Sequence, residues 1–350
     1  MVRGRDMRPA QRLVGHVLDG GWRVLELVDR GPDDTGGHFS VGYIIEGPNG
    51  RRAFLKALDY SRALASSDPA RELLKLTAKF VFERDVLDKC RAVGLSRIVV
   101  AIQAGKVVVD TSNQAGVVEY LIFELADGDV RKFVHLSRNC DLAWTLRCLH
   151  HVATALGQLH GQRIAHQDLK PSNVMVYGGV ISKVGDLGSA AYQGHSGPHD
   201  EQAFAGDPSY APPELLYKQI SPDWNQRRFG CDAYLLGSMT VFMFTGSIMS
   251  SLLLAKLDAS QHWREWRGSF AELLPQLRQA FGASLLELRE NLECDCRDEV
   301  VEIVRQLCDP DPGQRGHPRT RASIGNPYSL ERYISWFDRL ARRAELARMR

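Results

Sequence analysis

Residues 163–176 read RIAHQDLKPSNVMV, and the polar middle of that stretch decides how the rest of the chain is understood. Asp168, Lys170 and Asn173 stand close together between two apolar segments. Pro-Ser-Asn at 171–173 is ordinary turn chemistry, so a surface turn after a helix is the plain reading. The alternative is chemical: Asp168 handles a proton, Lys170 a phosphate and Asn173 a metal ion. The flanking sequence has to separate the two.

Just downstream, SKVGDLGSA (182–190) puts Asp186 at the end of a strand-like run, before a Gly-containing turn. A carboxylate there can bind Mg²⁺, a hard ion that takes one or two carboxylates and completes its shell with phosphate oxygens and water. Upstream, WRVLELV (22–28), HFSVGYIIEG (38–47) and RRAFLKAL (51–58) alternate apolar with polar residues, as strands do. GPNG (47–50) supplies a hairpin turn between the last two. Residues 70–94 then predict a helix with Leu73, Leu74, Phe80, Val81 and Leu87 on its apolar face and Gly94 after its end. Lys56 on a strand and Glu83 on the next helix can pair, holding the amine where it meets two phosphates of a nucleotide. Taken singly, each reads as a solvated charge. Strands return at 96–110 and 116–125, and from LAWTLRCLHHVATALGQLHGQ (142–162) onward the pattern is helical. A mainly β first third joined to a mainly α remainder predicts two lobes with a ligand cleft between them.

The totals agree with a large globular enzyme. The chain has 350 residues, 44% of them hydrophobic, enough for two domains or one bilobal unit with a sizeable core. A formal charge of +2 gives no reason to expect nucleic acid as a partner. Seven cysteines, an odd number without a repeating spacing, do not form a disulfide framework and point to a reducing compartment, the cytoplasm. Cys294, Cys296, Cys308 and His317 can be read as metal ligands, but their spacing fits none of the usual structural zinc patterns. The first twenty residues lack the apolar core of a signal peptide. Residues 233–255 carry no charge and are long enough to span a bilayer, although Gly, Ser and Thr interrupt them. A buried helix followed by a turn near Thr245-Gly246 reads equally well.

Motif order resolves these choices. HQDLKPSN (166–173) resembles the protein-kinase catalytic loop H-R-D-x-x-x-x-N, and DLG (186–188) resembles its metal-binding D-F-G. PPE (212–214) is similar to A-P-E, DAYLLG (232–237) to the start of the buried central helix, and DPDPGQR (309–315) to the segment whose Arg pairs with the A-P-E glutamate. Over roughly residues 20–320 the chain therefore resembles the eukaryotic-like Ser/Thr protein kinase superfamily. The resemblance implies an α+β, bilobal protein kinase fold with a β-rich N-lobe over 20–125 and a helical C-lobe over 126–325. Residues 1–19 are unassigned, and 326–350 form a C-terminal amphipathic helix that either packs on the helical lobe or docks a partner or membrane. It implies ATP and Mg²⁺, with Mn²⁺ as an alternative ion, and protein substrates, with a regulatory protein as a further partner. No membrane span is then expected, since 233–255 becomes the core helix.

Roles follow the same resemblance. Asp168 is the base for a substrate hydroxyl, Lys170 neutralises the transferring phosphoryl group, Asn173 and Asp186 hold metal ions, and Lys56 with Glu83 orients the nucleotide. The backbone of Glu124 and Ala126 meets the adenine edge, Phe123 is the gatekeeper, and Asp129 accepts from a ribose hydroxyl. Glu214 and Arg315 form the platform ion pair. The phosphate-covering loop departs from G-x-G-x-x-G-x-V: Thr35, Gly37 and Ser40 stand for the glycines and Gly42 for the valine, with Phe39 in place. Backbone N–H groups around Gly36, Gly37 and Ser40 can still face phosphates. Residues 59–69 look like an insertion in which Ser67 or Asp68 caps the next helix. Asp207 stands where Ser/Thr kinases commonly carry Thr.

Gln167 replaces the Arg that would pair with a phosphate on the activation loop, and residues 186–214 contain no Thr. Activity is therefore expected not to depend on phosphorylation of that loop. Two other readings stay open: a pseudokinase scaffold, against which the retained Lys56, Asp168, Asn173 and Asp186 argue, and a small-molecule phosphotransferase of the aminoglycoside or choline type, which generally lacks the Lys170-Pro171 pair and the A-P-E segment. A compact, stand-alone enzyme of bacterial type is expected.

Overall fold

Where the sequence alternates, strands form: β1 (Arg23–Leu27), β2 (Ser40–Glu46), β3 (Arg52–Leu58), β4 (Ala101–Val108) and β5 (Val117–Glu124). They make one antiparallel sheet in the order β1-β2-β3-β5-β4. The period of two sends Tyr43, Ile45, Ala53, Leu55, Ala57, Tyr120 and Ile122 to one face, where Leu13, Leu18 and Val24 complete a core. The β2–β3 hairpin turns at 47–50, with Gly50 in the left-handed region at φ 74°. The computed structural model describes residues 8–28, 39–109, 116–136, 141–323 and 325–349. It divides into a β-rich unit (Met1–Gly94 and Val99–Asp127) and a helical unit (Leu95–Ile98 and Gly128–Arg350).

In the β-rich unit a short helix, α1 (Ser61–Leu64), occupies the inserted stretch and leads to α2 (Pro69–Ala92). The Asp68 carboxylate caps α2 by accepting from the Arg71 N–H at 3.2 Å, with Pro69 at the first helical position. The buried face of α2 differs from the expected one. It runs through Leu76, Phe80, Glu83, Leu87 and Cys90, spaced three and four apart, whereas Leu74 is 72% exposed and Val81 only half-buried. Glu83 faces the sheet within this stripe, and Val86 is buried beside Leu87.

The helical unit contains α3 (Val130–Leu136), α4 (Leu142–Gly161), α5 (Pro213–Leu216), α6 (Gly230–Thr245), α7 (Met249–Leu254), α8 (Phe270–Asn291), α9 (Arg297–Leu307), α10 (Pro318–Arg321) and α11 (Glu331–Arg348). Two small sheets join it: β6 (Gly128–Asp129) pairs with β8 (Val174–Tyr177), which pairs with β9 (Ile181–Val184), and β7 (Ile164–Ala165) pairs with β10 (Ala191–Tyr192). The uncharged run becomes two helices, because Gly246 ends α6 at φ 73° and the chain turns into α7. Residues 230–243 are buried throughout. Among the described residues no helix is long and apolar enough to cross a membrane. Gly237 lets α6 approach α9 closely, since a Cβ there would lie 2.4 Å from Cys308 Sγ and 2.9 Å from Leu307 Cβ.

Of the two expectations for the C-terminal helix, packing prevails. Tyr333, Phe337, Leu340 and Ala341 are buried as α11 lies along α4. Arg147 of α4 fixes the pair by bonding Asp338 at 2.6 Å and Glu345 at 2.8 Å. The apolar stripe is covered within the unit and is not presented for docking.

Candidate active site

The loop that follows β7 is held from beneath by one carboxylate. Asp232, in the first turn of α6 and fully buried, accepts from the backbone N–H groups of His166 and Gln167, each at 2.8 Å, and from His160 Nε2–H at 2.9 Å. Burial would push its carboxyl up, but the His160 hydrogen bond and the Gln167 amide outweigh this and keep it below the usual range. Held this way, Gln167 sits at φ 67°, a conformation that costs energy for a non-glycine residue and that turns Asp168 toward its partners.

Those partners converge on the Asp168 carboxylate, which is buried. Oδ1 accepts from the Asp207 N–H at 2.8 Å, while Oδ2 accepts from Asn173 Nδ2 at 3.2 Å and lies 3.2 Å from Lys170 Nζ. Burial pushes the Asp168 carboxyl up, against the pull of the Lys170 charge and the Asp207 amide. Lys170 Nζ also lies 3.7 Å from the Asp207 carboxylate. Asp207 thus orients Asp168 through its backbone N–H and Lys170 through its charge. The approach requires Gly206, where a Cβ would fall 2.3 Å from the Gln167 carbonyl oxygen and 2.9 Å from Asp168 Oδ1.

Asn173 spends its amide nitrogen on Asp168, donating to its carbonyl at 2.8 Å as well as to its carboxylate. The carboxamide oxygen is thereby turned away from Asp168 and is a hard ligand. Asp186 follows Gly185, whose N–H donates to the Asn173 carbonyl at 2.8 Å and whose carbonyl accepts from His166 Nε2 at 2.9 Å. Asp186 is exposed and in the left-handed region at φ 59°. Two oxygen donors supplied by one protein segment, with the rest of the shell left to phosphates, fit Mg²⁺ better than a soft ion. Among the described residues no three His, Cys, Asp or Glu side chains converge as a metal cage, and the Cys294–His317 set forms none.

In the β-rich unit the strand lysine and the helix glutamate meet: Lys56 Nζ lies 2.8 Å and 3.1 Å from the two Glu83 carboxylate oxygens. Phe123 is buried on β5, Glu124 ends that strand exposed, and Ala126 follows half-buried. Ser40 opens β2 beside Leu58, and Phe39 is 44% exposed. Gly36 and Gly37 lie outside the described residues. In the helical unit Asp129 is gripped by Arg131, whose Nε and Nη2 reach its carboxylate at 3.1 Å and 2.9 Å, so a ribose hydroxyl there would share the acceptor with a guanidinium.

Two further arginines are buried in this unit. Arg315 forms a fork with Glu214, at 2.7 Å and 2.8 Å, and is fully buried. Arg228, 2% exposed, donates to Gln167 Oε1 at 3.1 Å and to the carbonyls of His199 and Asp200 at 3.1 Å and 3.2 Å. It belongs to a π-helical turn, Asn225–Phe229, whose Arg227 also donates to the Asp200 carbonyl (2.9 Å) and to that of Gln202. Sequence reading identified the loop residues and the Glu214–Arg315 pair but assigned no role to Asp232 or Arg228. For Asp232 the signal was available: it is the one acid opening an otherwise uncharged helix.

A family model described as the protein kinase domain matches residues 55–323. The chain is similar to the Saccharomyces cerevisiae serine/threonine-protein kinase PTK2/STK2, 27% identical over 47% of this chain and 22% of the relative. It is also similar to human serine/threonine-protein kinase ULK3, 31% identical over 56% and 36%. A third relative, the probable serine/threonine-protein kinase PknB of Lactococcus lactis, is 26% identical over 62% and 36%. The chain thus spans little more than a third of the length of these relatives, or less.

Proposed function

The chain belongs to the protein kinase family, and from that premise we propose that it transfers the γ-phosphoryl group of ATP to serine and threonine hydroxyls of protein substrates, with Mg²⁺ as its ion. The observation that carries the proposal is the Asp168 carboxylate, buried, ionisable and aimed by Asp207, Asn173 and Lys170. As the substrate oxygen bonds to phosphorus and the bond to the departing diphosphate breaks, Asp168 receives the hydroxyl proton. Lys170 offsets charge on the phosphoryl oxygens, and Lys56, held by Glu83, binds phosphate oxygens of ATP. Asn173 Oδ1 and the Asp186 carboxylate are the residues that would hold Mg²⁺, which supplies charge neutralisation at the phosphates. The Glu214–Arg315 fork supports a polypeptide substrate, because it braces the segment that resembles A-P-E.

The same reading holds that transfer does not wait for a phosphate on residues 186–214. Gln167 carries no charge and cannot form an ion pair with a phosphate. Its side chain instead bonds Arg228, and Arg228 with Arg227 is committed to backbone carbonyls between His199 and Gln202. A guanidinium delivered from the π-helical turn holds the segment that elsewhere a phosphate would hold. The test is incubation of phosphatase-treated protein with Mg-ATP and generic protein substrates, with phosphosite mapping and Asp168→Asn as control. Transfer without a lag, lost in the control, is expected. Labelling that persists in Asp168→Asn would overturn the catalytic assignment, and a lag removed by pre-incubation with ATP would overturn phosphate independence.

A further inference from the structure

The turn between α8 and α9 places two sulfur atoms in contact. Cys294 Sγ and Cys296 Sγ lie 3.4 Å apart, and the turn is closed by the Arg297 N–H donating to the Cys294 carbonyl at 3.1 Å. Cys296 is 3% exposed and stands at the N-cap of α9, while Cys294 is partly exposed. Residues two apart in a chain have Cα atoms no more than about 7 Å apart, and a turn brings them closer, into the range a disulfide accepts. Closing the bridge therefore requires side-chain rotation and little backbone movement.

The surroundings divide the labour between the two thiols. The contact with Cys296 pulls the Cys294 thiol down to about 7 against burial and the Asp295 carboxylate, while the same contact and burial push Cys296 up. Cys294 is the accessible sulfur and Cys296 the buried one, which is the arrangement of an attacking and a resolving thiol. By contrast, burial pushes Cys90, Cys231 and Cys308 up. Nothing in the phosphoryl-transfer reading uses Cys294 or Cys296.

We propose that Cys294 and Cys296 are an oxidisable vicinal dithiol, a modification site that oxidants of the peroxide or disulfide class convert to an intramolecular disulfide. With hydrogen peroxide, the Cys294 thiolate attacks one oxygen, the O–O bond breaks and hydroxide leaves, giving a sulfenic acid. The Cys296 sulfur then attacks the Cys294 sulfur, and the hydroxyl departs with the Cys296 proton as water. The two thiols lose two electrons and the peroxide is reduced to water. With a disulfide oxidant, Cys294 forms a mixed disulfide that Cys296 resolves, releasing the second thiol.

Trypsin cleavage at Arg289 and Arg297 releases both cysteines in one peptide, residues 290–297. Full-length reduced protein is treated with a slight excess of hydrogen peroxide, alkylated with iodoacetamide, digested and mapped by mass. The expected product is a 290–297 peptide lighter by two hydrogens and free of alkylation, formed before any other described cysteine is lost and returned by dithiothreitol. Cys296→Ser should leave Cys294 without a resolving thiol, so that it passes to the sulfinic acid, which dithiothreitol does not reverse. A wild-type peptide alkylated at both cysteines after oxidation would overturn the proposal. So would sulfinic acid at Cys294 forming equally fast in wild type and Cys296→Ser, because the sulfur contact would then be packing alone.

Discussion

Replacing Arg315 with alanine should destabilise the helical unit by an amount that the structure sets. Its guanidinium is fully buried, forks onto Glu214 at 2.7 Å and 2.8 Å, and donates to the Gly230 and Asp309 carbonyls at 3.0 Å and 2.9 Å. Alanine leaves a buried carboxylate with no counter-charge, a defect that costs about 3–5 kcal/mol when one partner of a buried pair is removed. Protonation of the orphaned carboxylate caps that cost. Starting from an ordinary glutamate near 4.3, placing a proton on it at pH 7 takes about 3.7 kcal/mol. At about 2–4 °C per kcal/mol for a unit of this size, the melting temperature should fall by about 7–15 °C. The cap also fixes a sign. The folded variant then binds a proton that its unfolded chain does not, so its deficit shrinks by about 1.4 kcal/mol for each unit the pH is lowered toward 5. The double variant Arg315→Met with Glu214→Leu should recover much of the loss, because it leaves no charge buried. Thermal melts of all three proteins at pH 7 and pH 5 suffice. An Arg315→Ala melt within about 2 °C of wild type, or a double variant no better than the single, would refute the reasoning.

Asp186→Ala should abolish transfer while leaving the melting temperature unchanged, because the carboxylate is exposed and its loss opens no cavity; radiolabel transfer beside a thermal melt checks both halves. The activity of the wild type should rise with pH through the raised Asp168 titration, since the base must be ionised, and Lys170→Met should move that acidic limb to higher pH, because the Lys170 charge pulls the carboxyl down. Lys170→Met should also lower kcat by about 10²–10³, and an unshifted limb in its residual activity would place Lys170 away from Asp168. Truncation after Asn326 should yield protein that melts far lower or aggregates, because α4 loses its cover by Tyr333, Phe337 and Leu340.

What the sequence disclosed, and what it withheld, has a physical pattern. Lys56, Glu83, Asp168, Asn173 and Asp186 were singled out because their types and order match the protein-kinase pattern, and the fold does bring Lys56 to Glu83 and Asn173 to Asp168. The buried face of α2 was read correctly at Phe80 and Leu87 but missed Glu83, because a charged residue scores as solvent-facing until its partner on β3 is known. The membrane-length run was ambiguous for the opposite reason: a helix buried on all sides has no periodicity to read, and only Gly246 marks its end. Arg228 was invisible. Its contacts lie with residues far from it in sequence, and a π-helical turn has no signature in composition. Asp207 was seen as a departure, and its two contacts, the N–H on Asp168 and the carboxylate near Lys170, could not be read from the sequence.

A clamp made from an arginine and a phosphate is a lever that a second enzyme can pull: one protein adds the phosphate, another removes it, and free phosphate or sulfate competes for the guanidinium. Arg228 closes on main-chain carbonyls, which no phosphatase can remove. If transfer is independent of that phosphate, as proposed, the output of such an enzyme scales with the number of its molecules. Its response time becomes the time needed to make or destroy them, minutes to hours where a phosphate relay takes seconds. A cell that relies on it spends protein synthesis on timing, and in return has a signal that a burst of phosphatase activity leaves untouched.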